Sequence, residues 1–261
     1  MTESALHRYV LPDGPEVFCI QKGEATALYQ EIFVRRCWLA GGIRLVPGGV
    51  VIDAGANIGL STLFFHQECP DQRFLCYEPA PAPFAALQRN VEMHGIAATC
   101  RKVALGAEPG MAVMTYYPEI TAMSGLHGDP SRDASITRTV MKNSGFKDRN
   151  IDQLVPREYK TELVEIEVRT LSDEVREAGL DRIDLLKIDV EKSELDVLAG
   201  IDQSTWELVR QVAVEVHDVD DALARVCACL DSRGFDVQTR QDPLFLGTEV
   251  YDVTAISKLR R

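Results

Sequence analysis

The run Val50-Val51-Ile52-Asp53-Ala54-Gly55-Ala56-Asn57-Ile58-Gly59-Leu60 limits this chain more than any other stretch. An apolar, β-branched segment ends in an acid, passes through small residues, and resumes as a helical pattern over 59–66. That order predicts a buried strand, a tight turn and a helix, the opening unit of a doubly wound α/β sheet. Gly55 permits a sharp backbone turn, Asn57 tolerates a left-handed conformation, and Gly59 permits close approach by a ligand or by the helix itself. The helix then directs its free N–H groups at whatever occupies the turn. A polar, nucleoside-like ligand follows as the first expectation.

At 261 residues and 46% hydrophobic, the chain can bury a large core. One domain over 46–261 is expected, with a strand pair and helix over 1–45 as an N-terminal extension. The net charge of -12, from 40 acidic and 28 basic residues, excludes nucleic acid and anionic membrane as main partners. No apolar run approaches the roughly 18 residues of a membrane span, and residues 1–10 lack a signal-peptide core, so cytoplasmic residence is expected. The seven cysteines are scattered, an odd count that suits reduced thiols. Cys227-Ala228-Cys229 lacks zinc-site spacing, and no structural metal is expected. The sequence sets no oligomeric state.

Residues 6–18 read as a strand pair turning at Leu11-Pro12-Asp13-Gly14, and 24–38 as a helix that carries Tyr29 either into the core or over the ligand. Arg73-Phe74-Leu75-Cys76-Tyr77-Glu78 is a second buried strand, and the prolines after it start a helix over 84–94. Glu78 stands 19 positions beyond Gly59, near the roughly 20-residue offset of the carboxylate that binds ribose hydroxyls in dinucleotide folds. A third strand is expected over 99–105, with Ala104 near its end facing the donor site. The polar stretch 121–160 is long for a connection and is expected to be a lid or substrate-binding insert, with Ser124 in its densest cluster of small and polar residues.

Ile183-Asp184-Leu185-Leu186-Lys187-Ile188-Asp189-Val190 reads as a buried central strand, and residues 210–218 as the fifth strand of the alternating series. Lys187 shares a face with Asp189, and Glu215 with His217. Asp189, Glu191, Glu194 and His217 then crowd the carboxyl ends of two central strands, where open α/β sheets build their sites. The last strands, 234–239 and 249–257, have no helix between them and suggest an antiparallel hairpin.

A nucleoside site of this kind can hold ATP, NAD or S-adenosylmethionine. The chain has no GxxxxGK[ST] loop, and Gly55-x-Asn57-x-Gly59 is not GxGxxG. An acid before the turn repels a pyrophosphate and suits the cationic methyl donor. A mostly parallel seven-stranded sheet with an antiparallel last strand, the Rossmann-like class I methyltransferase architecture, is the fold expected.

The motif 51–59, Glu78-Pro79, the run Leu186-Lys187-Ile188-Asp189-Val190-Glu191-Lys192-Ser193-Glu194 and Glu215-Val216-His217 together resemble the FkbM family of S-adenosylmethionine-dependent methyltransferases. Tyr29-Gln30-Glu31-Ile32-Phe33 and Glu78-Pro79-Ala80-Pro81 are most similar to the branch acting on macrolide polyketides. The resemblance implies methylation of a hydroxyl on a small molecule, with Asp53, Gly55, Asn57 and Glu78 holding the donor; Gly59, Tyr29 and Ala104 are expected beside them. It departs at Lys192, where many members have glycine, so a tight turn there is not assured.

In-line methyl transfer needs alignment, exclusion of water and a base for the hydroxyl proton. His217 is the expected base, with Asp189 and Glu191 beside it and Ser124, Glu194 and Glu215 toward the substrate. A divalent cation on Asp189 and Glu215 is a less favoured variant. A non-catalytic nucleoside-binding scaffold and an NAD-dependent oxidoreductase remain as alternatives.

Overall fold

The computed structural model describes residues 6–258; the first five and the last three positions lie outside them. An N-terminal hairpin of β1 (His7–Val10) and β2 (Glu16–Cys19) leads into α1 (Lys22–Tyr29). That helix continues as a wider turn over Gln30–Val34 and stops at Arg36, which is left-handed at φ 57°.

The main unit alternates strand and helix. Its elements are β3 (Val50–Ala54), α2 (Leu60–Glu68), β4 (Arg73–Tyr77), α3 (Pro81–Met93) and β5 (Ala98–Arg101). A side sheet and insert follow: β6 (Ala104–Leu105), β7 (Gly110–Tyr116), α4 (Pro130–Asn143), α5 (Asp148–Leu154) and β8 (Glu162–Arg169). The chain returns through α6 (Leu171–Glu177), β9 (Leu185–Ile188), α7 (Glu194–Ala199), α8 (Gln203–Trp206), β10 (Gln211–His217), α9 (Ala222–Ser232), β11 (Phe235–Arg240) and β12 (Val250–Ser257).

Seven strands form the main sheet in the order β11-β12-β10-β9-β3-β4-β5. β12 runs antiparallel to both neighbours, while β3, β4, β5, β9 and β10 are parallel. The expected class I methyltransferase sheet is therefore present, with its antiparallel strand lying inside β11. Chain order reverses between β3 and β9, so the crevice opens at their carboxyl ends. All five residues of β3 are buried, because helices cover both sheet faces and each face needs apolar side chains. One apolar cluster, including Ile52, Leu186 and Val214, fills one side; another, including Val51, Phe64 and Leu185, fills the other and reaches the N-terminal hairpin.

The strand expected over 99–105 divides. Residues 98–101 stay in the main sheet, while Ala104 and Leu105 cross to a three-stranded sheet ordered β6-β8-β7. The stretch expected as an insert folds mainly into α4 and α5, held by a cluster of Tyr117, Ala134, Ile151, Val155 and Tyr159. Asp129 caps α4 by accepting hydrogen bonds from the Ser131 and Arg132 amides. Among the described residues no helix is long and apolar enough to cross a membrane.

Candidate active site

The turn after β3 is shaped by backbone contact. Gly55 has φ 73°, and a Cβ there would sit 1.7 Å from the Asp189 carbonyl oxygen, so only glycine lets β3 and β9 approach at this point. Asn57 is left-handed at φ 48° and its amide donates to Glu78 Oε2 at 2.9 Å. Gly59 serves helix packing: a Cβ would lie 2.7 Å from Leu87 Cδ1 of α3, and Gly59 does not line the cavity.

Glu78 ends β4 with its other oxygen accepting from the Ala80 amide at 2.8 Å. Burial pushes its carboxyl up to about 7, against the lowering effect of those two amides. Its side chain lines the narrow cavity. Around it run Ala56, Asn57, Val103, Ala104, Leu105, Met114 and Ile166, an apolar slot walled partly by the side sheet. Ala104 thus lies at the wall where it was expected, carried there by β6.

Asp53 and Tyr29 do not reach this cavity. Asp53 is fully buried beneath it and accepts from Ser61 Oγ at 2.9 Å and Thr62 Oγ1 at 2.7 Å. Its Oδ1 pairs with Lys187 Nζ at 3.0 Å, so its charge is consumed inside the protein. Lys187 also pairs with Asp189 at 3.3 Å and donates to the Gly55 carbonyl at 2.7 Å. Burial alone would lower its ammonium; the two carboxylates outweigh that and raise it. Tyr29 donates to the Asp13 carbonyl at 3.0 Å and its ring tilts against Phe33. The residues of that helix facing the cavity are Leu28 and Ile32, read from sequence only as part of a packing stripe.

The roof of the cavity is Thr121, Ala122, Ser124, Gly125 and Leu126. Glu24 of α1 holds this roof, accepting from the Ala122 amide at 2.7 Å and Thr121 Oγ1 at 3.1 Å. Ser124 Oγ accepts from the Tyr117 amide at 3.0 Å, and Ser124 belongs to the roof of this cavity and not to the larger one next door.

That second cavity, of about 570 Å³, opens between α1, α4, α5 and the ends of β9 and β10. Asp189, Glu191, Glu215 and His217 form its floor with Glu31 and Trp38. His217 is 2% exposed and lies between two carboxylates, Nε2 3.2 Å from Glu191 and Nδ1 3.4 Å from Glu194. Burial opposes its charge, but those neighbours raise it to about 9. Burial also pushes the Glu191 and Glu215 carboxyls above their usual range. Glu194 is too buried to touch a substrate; it accepts from the Lys192 amide at 2.8 Å and backs His217.

The turn that Lys192 put in doubt is made. Glu191 and Lys192 are left-handed at φ 52° and φ 73°. Lys192 Nζ pairs with the fully buried Asp133 of α4, which also accepts from Tyr117 Oη at 2.7 Å. The lysine therefore ties the insert to the floor, which offsets a left-handed cost of roughly 1–2 kcal/mol per residue.

Comparison with known proteins agrees with this geometry. The methyltransferase FkbM domain model matches residues 53–237. The 31-O-demethyl-FK506 methyltransferase FkbM of Streptomyces tacrolimicus is 46% identical over 246 residues, covering 94% of this chain and 95% of that protein. Methyltransferase sdnD of Sordaria araneosa is 33% identical over 86% of this chain and 87% of its own length. In fold, the chain is similar to the crystal structure of the methyltransferase FkbM from Methylobacillus flagellatus KT, with TM-score 0.53 and 16% identity over 82% of this chain and 45% of that one. A strand-turn-helix unit, a buried carboxylate at the end of β4 and an adjoining acidic cavity thus occur in a chain matched along nearly its whole length, and this chain belongs to the FkbM family of methyltransferases.

Proposed function

We propose that this protein is an S-adenosylmethionine-dependent O-methyltransferase acting on a hydroxyl of a small, largely apolar molecule of the polyketide or related secondary-metabolite type. The observation that carries the reading is a shared boundary: Leu28, Ile32, Ala122, Asp189 and Glu191 line both cavities. A donor in the narrow one and an acceptor in the wide one would meet there.

The narrow cavity fits the donor chemically. Glu78 offers two carboxylate oxygens for a ribose diol, the Val103-to-Leu105 wall with Met114 and Ile166 suits an adenine, and Asp189 faces the cationic end. Gly55 and Asn57 line the turn at this cavity. When bound, S-adenosylmethionine supplies a methyl group on a sulfonium, and transfer to the acceptor oxygen leaves a neutral thioether.

The protein's own work is alignment, dryness and proton removal. The 121–126 roof and the Leu28–Ile32 face exclude water from the junction. His217 has both ring nitrogens facing carboxylates, so it acts as a positioning residue for Glu191, and Asp189 at the junction takes the hydroxyl proton. Insert residues Ile136, Val140, Met141, Phe146 and Leu154 give the acceptor an apolar mouth, and Phe146 and Leu154 are exposed at its rim. The curated relative of Streptomyces tacrolimicus, named for demethyl-FK506, supports an acceptor of that kind. The placement of the protein in the cytoplasm belongs to the same proposal.

Mass spectrometry of small molecules released by denaturing the purified protein, with a titration of added S-adenosylmethionine, tests this. Release or saturable binding of the methyl donor or its demethylated product is expected. Release of NAD, or no binding of the donor, contradicts the reading.

A further inference from the structure

On the floor of the wide cavity, Glu191, Glu215 and His217 each offer one ligand atom, all within 4.8 Å of one another. His217 Nδ1 lies 3.4 Å from Glu194 Oε1, which orients the ring on its buried side. Nε2 then meets Glu191 Oε2 across 3.2 Å. Glu191 is 9% exposed, and its Oε2 is sealed from solvent and accepts no hydrogen bond. Neighbouring ligands on one metal, each about 2.1 Å from the ion at right angles, stand about 3 Å apart.

A second observation comes from outside the cluster. Trp38 lines the same cavity and is 5% exposed, and its Nε1 donor has no partner. A buried indole N–H lacking an acceptor calls for an oxygen from a ligand. The charge balance agrees. Glu31, Asp189, Glu191 and Glu215 converge on this floor. Lys187 answers Asp189 at 3.3 Å and Arg35 answers Glu31 at 4.0 Å, whereas Glu191 and Glu215 have no lysine or arginine partner among the described residues.

We propose that Glu191, Glu215 and His217 form a divalent-cation site at the floor of the acceptor cavity, with open positions toward the cavity for an acceptor hydroxyl or water. Two carboxylates and one imidazole suit Mn²⁺, Mg²⁺ or Zn²⁺ rather than a thiophilic ion. Such an ion would hold the acceptor oxygen and acidify its hydroxyl, whose proton passes to Asp189. This assignment rests on the acceptor reading of the cavity. It differs from an Asp189 and Glu215 pair, because Asp189 is turned to Lys187.

The test uses the full chain stripped with a chelator and titrated with Mn²⁺, followed by electron paramagnetic resonance, with donor binding measured on the same sample. One Mn²⁺ per chain is expected, weakened about tenfold or more in Glu215→Gln and in Glu191→Gln, and unchanged in Glu119→Gln at the cavity rim. Thermal melting of each variant checks that it is folded. Absence of saturable Mn²⁺ binding, equal binding in folded Glu215→Gln, or full methyl transfer in the stripped protein would overturn the site. Donor binding without Mn²⁺ binding would overturn the cation alone and leave the methyltransferase reading in place.

Discussion

Asp53 on β3 and Lys187 on β9 stand directly opposite in the parallel ladder and join as an ion pair with Nζ 3.0 Å from Oδ1, both side chains essentially without solvent contact. The pair staples the two strands whose ends build the junction. Lys187→Met leaves Asp53 charged and buried, with only Ser61 and Thr62 as partners. A loss of about 3–5 kcal/mol in denaturant unfolding is expected, partly restored by adding Asp53→Asn. A loss below about 1 kcal/mol would show that the pair is not what holds these strands.

Gly55→Ala is expected to lower both stability and donor binding, because the residue sits where two central strands meet. The added methyl meets the Asp189 carbonyl at 1.7 Å, so the turn must shift away from the cradle. Calorimetric titration with S-adenosylmethionine should show at least about a tenfold loss, about 1.4 kcal/mol. Wild-type affinity would mean that the turn does not touch the donor.

Lys192→Gly relieves a left-handed lysine and removes the counter-ion of buried Asp133. The second effect dominates, because an uncompensated buried charge costs several kcal/mol and the conformational relief only about 1–2. Limited proteolysis should therefore cut the insert around α4 faster in the variant. Slower cleavage would assign Lys192 no anchoring role.

Glu78 links pH to stability. Its folded carboxyl titrates near 7, above an ordinary glutamate, because burial disfavours the charge. A raised carboxyl gives stability that is complete below the ordinary value and disappears as pH rises through about 7, here on the order of 3–4 kcal/mol. Melting temperature should fall between pH 5 and 8, and fall less in Glu78→Gln. The ionised form is the better acceptor for ribose hydroxyls, so donor binding should tighten over the same interval. Calorimetry at three pH values checks both slopes.

The strands that frame the site were legible because β3, β4, β9 and β10 are buried on both faces and read as unbroken apolar runs. The turn was legible because its glycines serve backbone geometry that no other residue supplies. The direction of Asp53 was not. Whether an acid at a strand end faces a ligand or a lysine depends on the neighbouring strand's register, and Lys187 lies 134 positions away in sequence. Tyr29 misled for a related reason: Leu28 and Ile32 lie on the same helix, and packing against β3 and the 121–126 roof decides which face looks into the cavity. The division of 99–105 hinges on the two-residue strand β6, too short to leave a periodic signal. Trp38 and Glu24 carried no motif at all, Glu31 only a place in the run from Tyr29 to Phe33, and all three acquire meaning only where α1 and its continuation close over the site.

The account turns on Asp189, which lines both cavities at their boundary. Asp189→Asn keeps the side chain's shape and removes the carboxylate proposed to take the hydroxyl proton. The direct measurement is single-turnover transfer of labelled methyl to an accepted alcohol, beside a donor titration on the same preparation. Transfer slowed about 100-fold or more, with donor affinity largely kept, is the expected result. Transfer at the wild-type rate would contradict the placement of the chemistry at this residue.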